Sequence, residues 1–533
     1  MDDIRQCPLC GAAERASVLA ESGWVDEQVE RRIRTQRPEW RRADGACPAC
    51  LQRALLTFLL EKGEATLARV VQDVWPLDAE AAFGALPTPL RLRADPRFTG
   101  HGVTVAVVDA GFYPHPDLIR PTNRIRAWVN AATDAVDLHT FGPDDTPVWP
   151  GSDAGTASQW HGLMTSTTLA GNGWLSHGLY RGLASDAELV LVQVLGSDGR
   201  IGAKRVLRAL RWLTAHHHAL GIRIVNLSLG VEPSIRDGMD EIVGAVTSLV
   251  LAGVTVVVAA GNDGERHLVP PATAPDALTV GGLDDRNMFD AQARALWHSN
   301  FGNGANGRSK PELVAPSIWV VAPVLPGTET AREALDLFAR RASLDQSVEQ
   351  RIAEQHLVTP YYQHVEGTSF ASPIVSGVIA CMLEAHPTLE PTRIRTLLEL
   401  ACEHVNGAAD ERQGAGAIDA GRAVANALAV ARGAGLNMPR SPVVQQGRVQ
   451  VTFLDHRART VELLGSWDDW GRSVPALRAP NGEWTATLGP LTPGTYAYKL
   501  RVDGIRWVAD VANPLRSHDG HGGWNSSLEV RST

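Results

Sequence analysis

Six cysteines in 533 residues are too few to staple a scaffold with disulfides, so oxidative crosslinking is not what holds this chain together. The first residues, MDDIRQCPLCGA, carry two acids and lack the apolar core a secretory signal needs, which points to the cytoplasm. No apolar run is long enough to span a bilayer: the longest, Leu249 to Gly261, has thirteen residues, is rich in Val and reads as a buried strand, so no membrane partner is expected. Positive charge is also short. Fifty Lys and Arg against 59 Asp and Glu leave a net charge of -9, which argues against nucleic acid as a partner. Internal repeats and low-complexity tracts are missing. Aromatic residues make up only 6%, but they are uneven: five of the fifteen Trp fall after Arg440, and four of the six Cys fall within the first fifty residues.

A chain of this length exceeds one compact core and divides into domains. Residues 1–63 form a charged, helical, cysteine-bearing module, and 64–97 read as a Pro- and Ala-bearing linker. From 98 to 432, β-branched apolar runs alternate with helical patterns: VTVAVVDAG, AELVLVQVLG, GAKRVLRALRWLTAHH, IRIVNLSLG, MDEIVGAVTSLVLAG and VTVVVAAGN. Such alternation predicts an α/β domain built on a parallel sheet with helices on both faces. A second linker, 433–445, precedes short alternating strands with turn signals such as Asn481-Gly482 and Asp503-Gly504, so 446–533 read as an all-β sandwich.

In a parallel sheet, reactive groups gather where strands end. The run VAVVDAG ends in Asp109, QWHGL carries His161, and GTSFASPIVSG places Ser369 before an apolar helix. A serine hydroxyl needs a base to become nucleophilic, and a histidine base needs an acid to hold its tautomer and stabilise the imidazolium. Ser369 at a helix N-terminus also brings a free backbone N–H to a developing oxyanion, and Asn262, ending VTVVVAAGN, offers a side-chain amide to the same atom.

These pieces, with IVNLSLG and KPELVAP, resemble the subtilisin-like serine proteases, in the order Asp, His, Ser. The resemblance implies that Asp109, His161 and Ser369 form a triad, that Asn262 completes the oxyanion hole, and that Ser228, Leu229 and Gly230 pair with an extended polypeptide substrate. Four positions depart from the family's habit: Ala110 stands in place of Thr or Ser, Leu163 and Met164 follow the His-Gly pair, and Ile374 stands where His is frequent. His115 reads as structural, and His216 to His218 point in different directions on a helix and read as a solvated face. Calcium, common in the family, is not assignable to any residues. Thr328 to Tyr362 is longer than the family needs and reads as one or two amphipathic helices beside the nucleophile loop.

At the amino end, Cys7, Cys10, Cys47 and Cys50 form two Cys-Pro-x-Cys pairs, a spacing that suits one structural Zn²⁺ held by four thiolates, as in treble-clef-like modules. At the carboxyl end, VELLGSWDDWG, GEWTATLGPLTPGTYAYKLRVDG and WNSSLEV resemble isoamylase early-set and kinase glycogen-binding domains. That resemblance puts Trp470, Lys499, Trp507 and Asn525 at sugar-contacting positions and implies an α-glucan such as glycogen as partner, while Trp467 and Trp484 read as core. The sequence thus reads as an intracellular serine endopeptidase with two accessory modules. The alternative is a non-catalytic scaffold binding peptide and glucan on a degenerate protease fold.

Overall fold

The computed structural model describes residues 4–9, 11, 13–16, 19, 27–46, 50, 54, 86–432 apart from 154, 177, 232–238, 288–290, 308 and 341–345, and 441–530 apart from 446, 455–457, 480–482, 505, 511–512, 514 and 520–523. At the amino end, β1 (Ile4–Gln6) pairs antiparallel with β2 (Ala13–Arg15), and α1 covers Glu27–Gln36.

The body is wound around β3 (Thr104–Asp109), a strand buried along its whole length. Its side chains alternate in destination, as a pleated strand between two helical layers must: Val105 and Val107 enter one apolar cluster, Ala106 and Val108 the other. The chain then builds β4 (Ile125–Asn130), β5 (Asp137–Thr140), α2 (Ala157–Ala170), β6 (Glu188–Gln193), α3 (Ala203–His216), β7 (Ile222–Leu227), α4 (Met239–Leu251), β8 (Thr255–Ala259), β9 (Leu278–Asp284), β10 (Ala295–Leu296) and β11 (Leu313–Pro316). The sheet order is β10-β9-β8-β7-β3-β6-β4-β5, with β11 also on β9. Its interior pairs are parallel, and β5 and β10 close the two ends antiparallel. Leu210 and Leu213 of α3 and Val246 and Leu249 of α4 cover one face. The thirteen-residue apolar run is therefore not one strand. Leu249–Leu251 end α4, Gly253 turns at φ +87°, and only Thr255–Ala259 are strand, because Leu251 is left 84% exposed where a strand would have buried it.

On the other face, β12 (Val320–Pro323), β13 (Leu357–Thr359) and β14 (Tyr362–Val365) form a small antiparallel sheet ordered β12-β14-β13. Between β12 and β13 the chain forms two helices, α5 (Glu329–Arg340) and α6 (Gln346–Glu354), which share a core of Val324, Ala334, Leu337, Val348, Ile352 and Leu357. Next comes α7 (Thr368–Ala385), the one helix among the described residues long and apolar enough to cross a membrane; 83% of it is buried, and it serves as the central core helix. It packs with α2, α8 (Pro391–Ala401) and α9 (Ala420–Ala431). Burial pushes the Cys381 thiol of α7 up to about 12, so it is an inert core group.

The stretch read as the first linker is partly structured: Thr88–Arg91 is a helical turn buried on the body. Arg91 pairs bidentately with Asp285 at 2.7 and 2.8 Å and donates to the carbonyls of Ile318 and Trp319. At the carboxyl end, β15 (Val443–Gln445) pairs with β16 (Arg448–Leu454), so the sandwich begins inside the stretch read as the second linker. Strands β17 (Val461–Gly465), β18 (Val474–Pro475), β19 (Leu477–Arg478), β20 (Glu483–Leu488), β21 (Gly494–Val502), β22 (Arg506–Val508), β23 (Arg516–His518) and β24 (Trp524–Val530) complete it. The two sheets, β15-β16-β20-β19 and β18-β17-β21-β24-β23 with β22 on β21, enclose Val451, Phe453, Leu463, Trp484, Tyr498 and Leu528. Trp484 is core, and Trp467 packs partly buried against it.

Candidate active site

Asp109 ends β3, is 1% exposed, and has every oxygen engaged. Its Oδ1 accepts from the Ala110 N–H at 2.6 Å and from His161 Nδ1 at 2.7 Å, and its Oδ2 accepts from the Thr165 hydroxyl at 2.8 Å. His161 lies early in α2, whose Thr156 N–H donates to Gln159 Oε1 at the amino end. The next residue must be glycine: a Cβ on Gly162 would sit 2.0 Å from the Gly111 carbonyl oxygen, so only a bare backbone lets the helix approach the loop after Asp109. Partial burial by itself pushes the imidazole pKa down, but the Asp109 charge and hydrogen bond outweigh it and raise it above 6.5.

Ser369 is the second residue of α7, entered through Gly367 at φ +136°, whose N–H donates to the Ser317 carbonyl at 2.8 Å. Behind it runs a buried polar ladder between β7 and α7. Ser228 Oγ donates to the Ser369 carbonyl at 2.8 Å, meets Ser372 Oγ at 3.0 Å and accepts from Asn226 Nδ2 at 2.9 Å, while Ser376 donates to Asn226 Oδ1. The Ser369 hydroxyl itself rests on the Ser228 carbonyl at 3.4 Å, and no hydrogen bond joins it to His161. The Asp–His contact is therefore closed and the His–Ser contact open.

Asn262 follows β8 across the same cleft. Its Oδ1 accepts from the Thr368 N–H at 3.0 Å and the Thr368 hydroxyl at 2.8 Å, and that hydroxyl in turn accepts from the Gly261 N–H at 3.1 Å. With the oxygen thus occupied, the Nδ2 donors have no protein partner among the described residues. Ser228 turns its side chain inward, so only the backbone of Ser228, Leu229 and Gly230 is placed to meet another chain; Gly230 is exposed.

Three of the four departures from the family's habit lie in the core. Leu163, Met164 and Ile374 are fully buried in one apolar cluster, and Ala110 contributes only its backbone. His115 caps the turn at Pro116, accepting from the Asp117 N–H at 3.1 Å, and Asp117 takes a hydrogen bond from Tyr362. His216 and His217 hold helix carbonyls, at Trp212 and Thr214. Thr165, Thr368, Asn226, Ser372 and Ser376 went unpredicted. Of these only Thr165 left a signal in the sequence, its i+4 spacing from His161.

In the sandwich, Trp470 and Trp507 meet edge to face with centroids 6.4 Å apart, Trp507 is 40% exposed, and Arg501 lies over its ring. Lys499 pairs with Asp519 at 2.5 Å and follows Tyr498, whose cross-strand partner is Ser526, the neighbour of Asn525. At the amino end, Cys7 and Cys50 are buried, and the Gly11 N–H donates to the Cys7 carbonyl at 2.8 Å with Gly11 at φ +77°; Cys10 and Cys47 lie outside the described residues. No cluster of three metal-ligating side chains occurs among the described residues.

Residues 100–416 match the Subtilase family, and residues 449–533 match the glycogen recognition site of AMP-activated protein kinase. The chain is 29% identical over 334 residues to the serine protease AprX of Bacillus subtilis, covering 61% of this chain and 67% of that one. It is 28% identical over 369 residues to an extracellular protease of Xanthomonas campestris pv. campestris, covering 66% of this chain but little over half, 56%, of the relative. Among solved structures, fervidolysin of Fervidobacterium pennivorans aligns at 22% identity with a TM-score of 0.46, over 78% of this chain and 55% of that one.

Proposed function

The chain belongs to the subtilase family of serine endopeptidases, and on that premise we propose that it cleaves polypeptides through an acyl-enzyme formed on Ser369. The observation that carries this reading is the 2.7 Å hydrogen bond by which Asp109 orients His161 beside the helix N-terminus bearing Ser369. His161 Nδ1 donates to Asp109, which leaves Nε2 unprotonated and basic. On substrate binding the Ser369 hydroxyl leaves the Ser228 carbonyl for Nε2, a contact that serine enzymes often complete only in the Michaelis complex. His161 takes the hydroxyl proton as Ser369 Oγ bonds to the scissile carbonyl carbon. The resulting oxyanion is held by Asn262 Nδ2 and the Ser369 N–H. The proton passes from His161 to the leaving amine, the peptide C–N bond breaks, and water repeats the sequence to release the acid. The backbone of Ser228 to Gly230 adds the substrate as a strand.

A fluorophosphonate probe tests this on the full chain. Wild type labels and Ser369→Ala does not, while Asn262→Ala turns over a peptide roughly 10² to 10³ times more slowly. A wild type that neither labels nor cleaves would favour the non-catalytic scaffold.

We also propose that Cys7, Cys10, Cys47 and Cys50 hold a structural Zn²⁺. Support comes from the spacing of the two Cys-Pro-x-Cys pairs, from the hydrogen bond of the Gly11 N–H to the Cys7 carbonyl between β1 and β2, and from the burial of Cys7 and Cys50. Bound there, zinc supplies folding energy and takes no part in hydrolysis, and a site built on thiolates suits a reducing compartment such as the cytoplasm. Trp470, Lys499, Trp507 and Asn525 form a face suited to an α-glucan, with aromatic rings for sugar stacking and a cation and an amide for hydroxyls. Calcium has no assigned ligands in this reading.

A further inference from the structure

We propose that Thr165 is a positioning residue for the Asp109–His161 pair, its hydroxyl fixing the rotation of the carboxylate and through it the imidazole. The inference rests on the reading of Asp109, His161 and Ser369 as a triad. Asp109 is 1% exposed, so both oxygens need donors from within the protein. Oδ1 has two, the Ala110 N–H and His161 Nδ1. Oδ2 has Thr165 alone among the described residues, at 2.8 Å. An ionised carboxylate only accepts, so the hydroxyl donates; its other neighbour, the Gly162 carbonyl, lies farther off at 3.3 Å and competes poorly for the single proton.

Thr165 is four residues after His161, one turn along α2, so one helix face grips both oxygens of the carboxylate. The grip is stiff, because Thr165 is fully buried and β-branched. Ala110 offers the carboxylate only its backbone N–H, so among the described residues Thr165 is the one side-chain hydroxyl on it. Without that donor, Oδ2 keeps its charge uncompensated in a dry site, the carboxylate is free to swing about Cβ–Cγ, and its full charge falls on His161, favouring the protonated ring that cannot act as base.

Thr165→Val, nearly isosteric, tests this in the full chain, with rates referred to folded protein and Tm recorded alongside. The expected result is a kcat lowered roughly tenfold with KM little changed, and a His161 titration, followed by NMR, moved to higher pH. Thr165→Ser, which restores the hydroxyl, stays within about twofold of wild type. Should Thr165→Val fail to fold, Thr165→Ala makes the same comparison. A wild-type kcat and an unmoved His161 titration in the hydroxyl-less variant overturn the inference, as does a Ser variant as impaired as Val. An active wild type whose activity survives Ser369→Ala overturns instead the triad on which it rests.

Discussion

His161 stands between two opposed influences: burial favours its neutral form, and the Asp109 carboxylate at 2.7 Å favours the charged one and prevails. The base must be neutral to accept the Ser369 proton, so raising its pKa moves the onset of activity upward. We expect kcat/KM to climb with pH along a limb centred above 6.5, and a limb at or below that value would contradict the electrostatic account. Asp109, His161, Ser369 and Asn262 could be picked out as candidates because Asp109 and Asn262 close apolar runs, His161 and Ser369 stand ahead of them, and chance does not produce that order. Their supports could not. Thr368 pins the Asn262 amide from 106 positions away, and Asn226 and Ser376 meet across 150, so only folding makes them neighbours.

Among the elements, α2 and α7 bring the chemistry together, and glycines set how closely they approach. Gly162 touches the loop after Asp109 and Gly367 opens the turn into Ser369. Gly162→Ala would force a methyl group against the Gly111 carbonyl, and a loss of about 1–3 kcal/mol in stability is expected, with kcat falling because His161 is pushed off Asp109. Denaturant melts and peptide turnover check it; unchanged values would mean the helix has slack that the packing does not show. The pair α5 and α6 was readable from its amphipathic period, and its separate core of six residues is the reason: each helix buries its apolar stripe against the other. The run from Leu249 to Gly261 was misread because composition does not distinguish the end of a buried helix from the buried strand that follows it. The turn at Gly253 lies within an unbroken apolar stretch.

For the whole molecule, the uneven Cys and Trp fall at the two ends of the chain. If the four Cys hold zinc, elemental analysis of purified chain gives about one zinc per molecule, Cys7→Ser loses it, and fluorophosphonate labelling of Ser369 persists. A folded amino-terminal module without metal would refute this. If the sandwich holds glucan, the full chain co-sediments with amylose and Trp507→Ala reduces the bound fraction several-fold, since stacking on that exposed ring is lost. Retention of Trp507→Ala at the wild-type level would move the face elsewhere. Between the modules, Arg91 ties the segment before the body to the Ile318 and Trp319 carbonyls, next to the Ser317 carbonyl that holds Gly367. That clamp was invisible beforehand, because a lone Arg in a Pro-rich stretch carries no pattern. Periodicity and strand-end chemistry are local properties, and local order along the chain was enough to establish the α/β body and the all-β tail and to single out the candidate residues of the site. Which hydroxyl steadies Asp109, which way the Asn262 amide faces and where the Ser369 hydroxyl rests depend on groups that meet only when the sheet closes against α2 and α7. Burial there forces every polar atom to find a partner regardless of its distance in sequence.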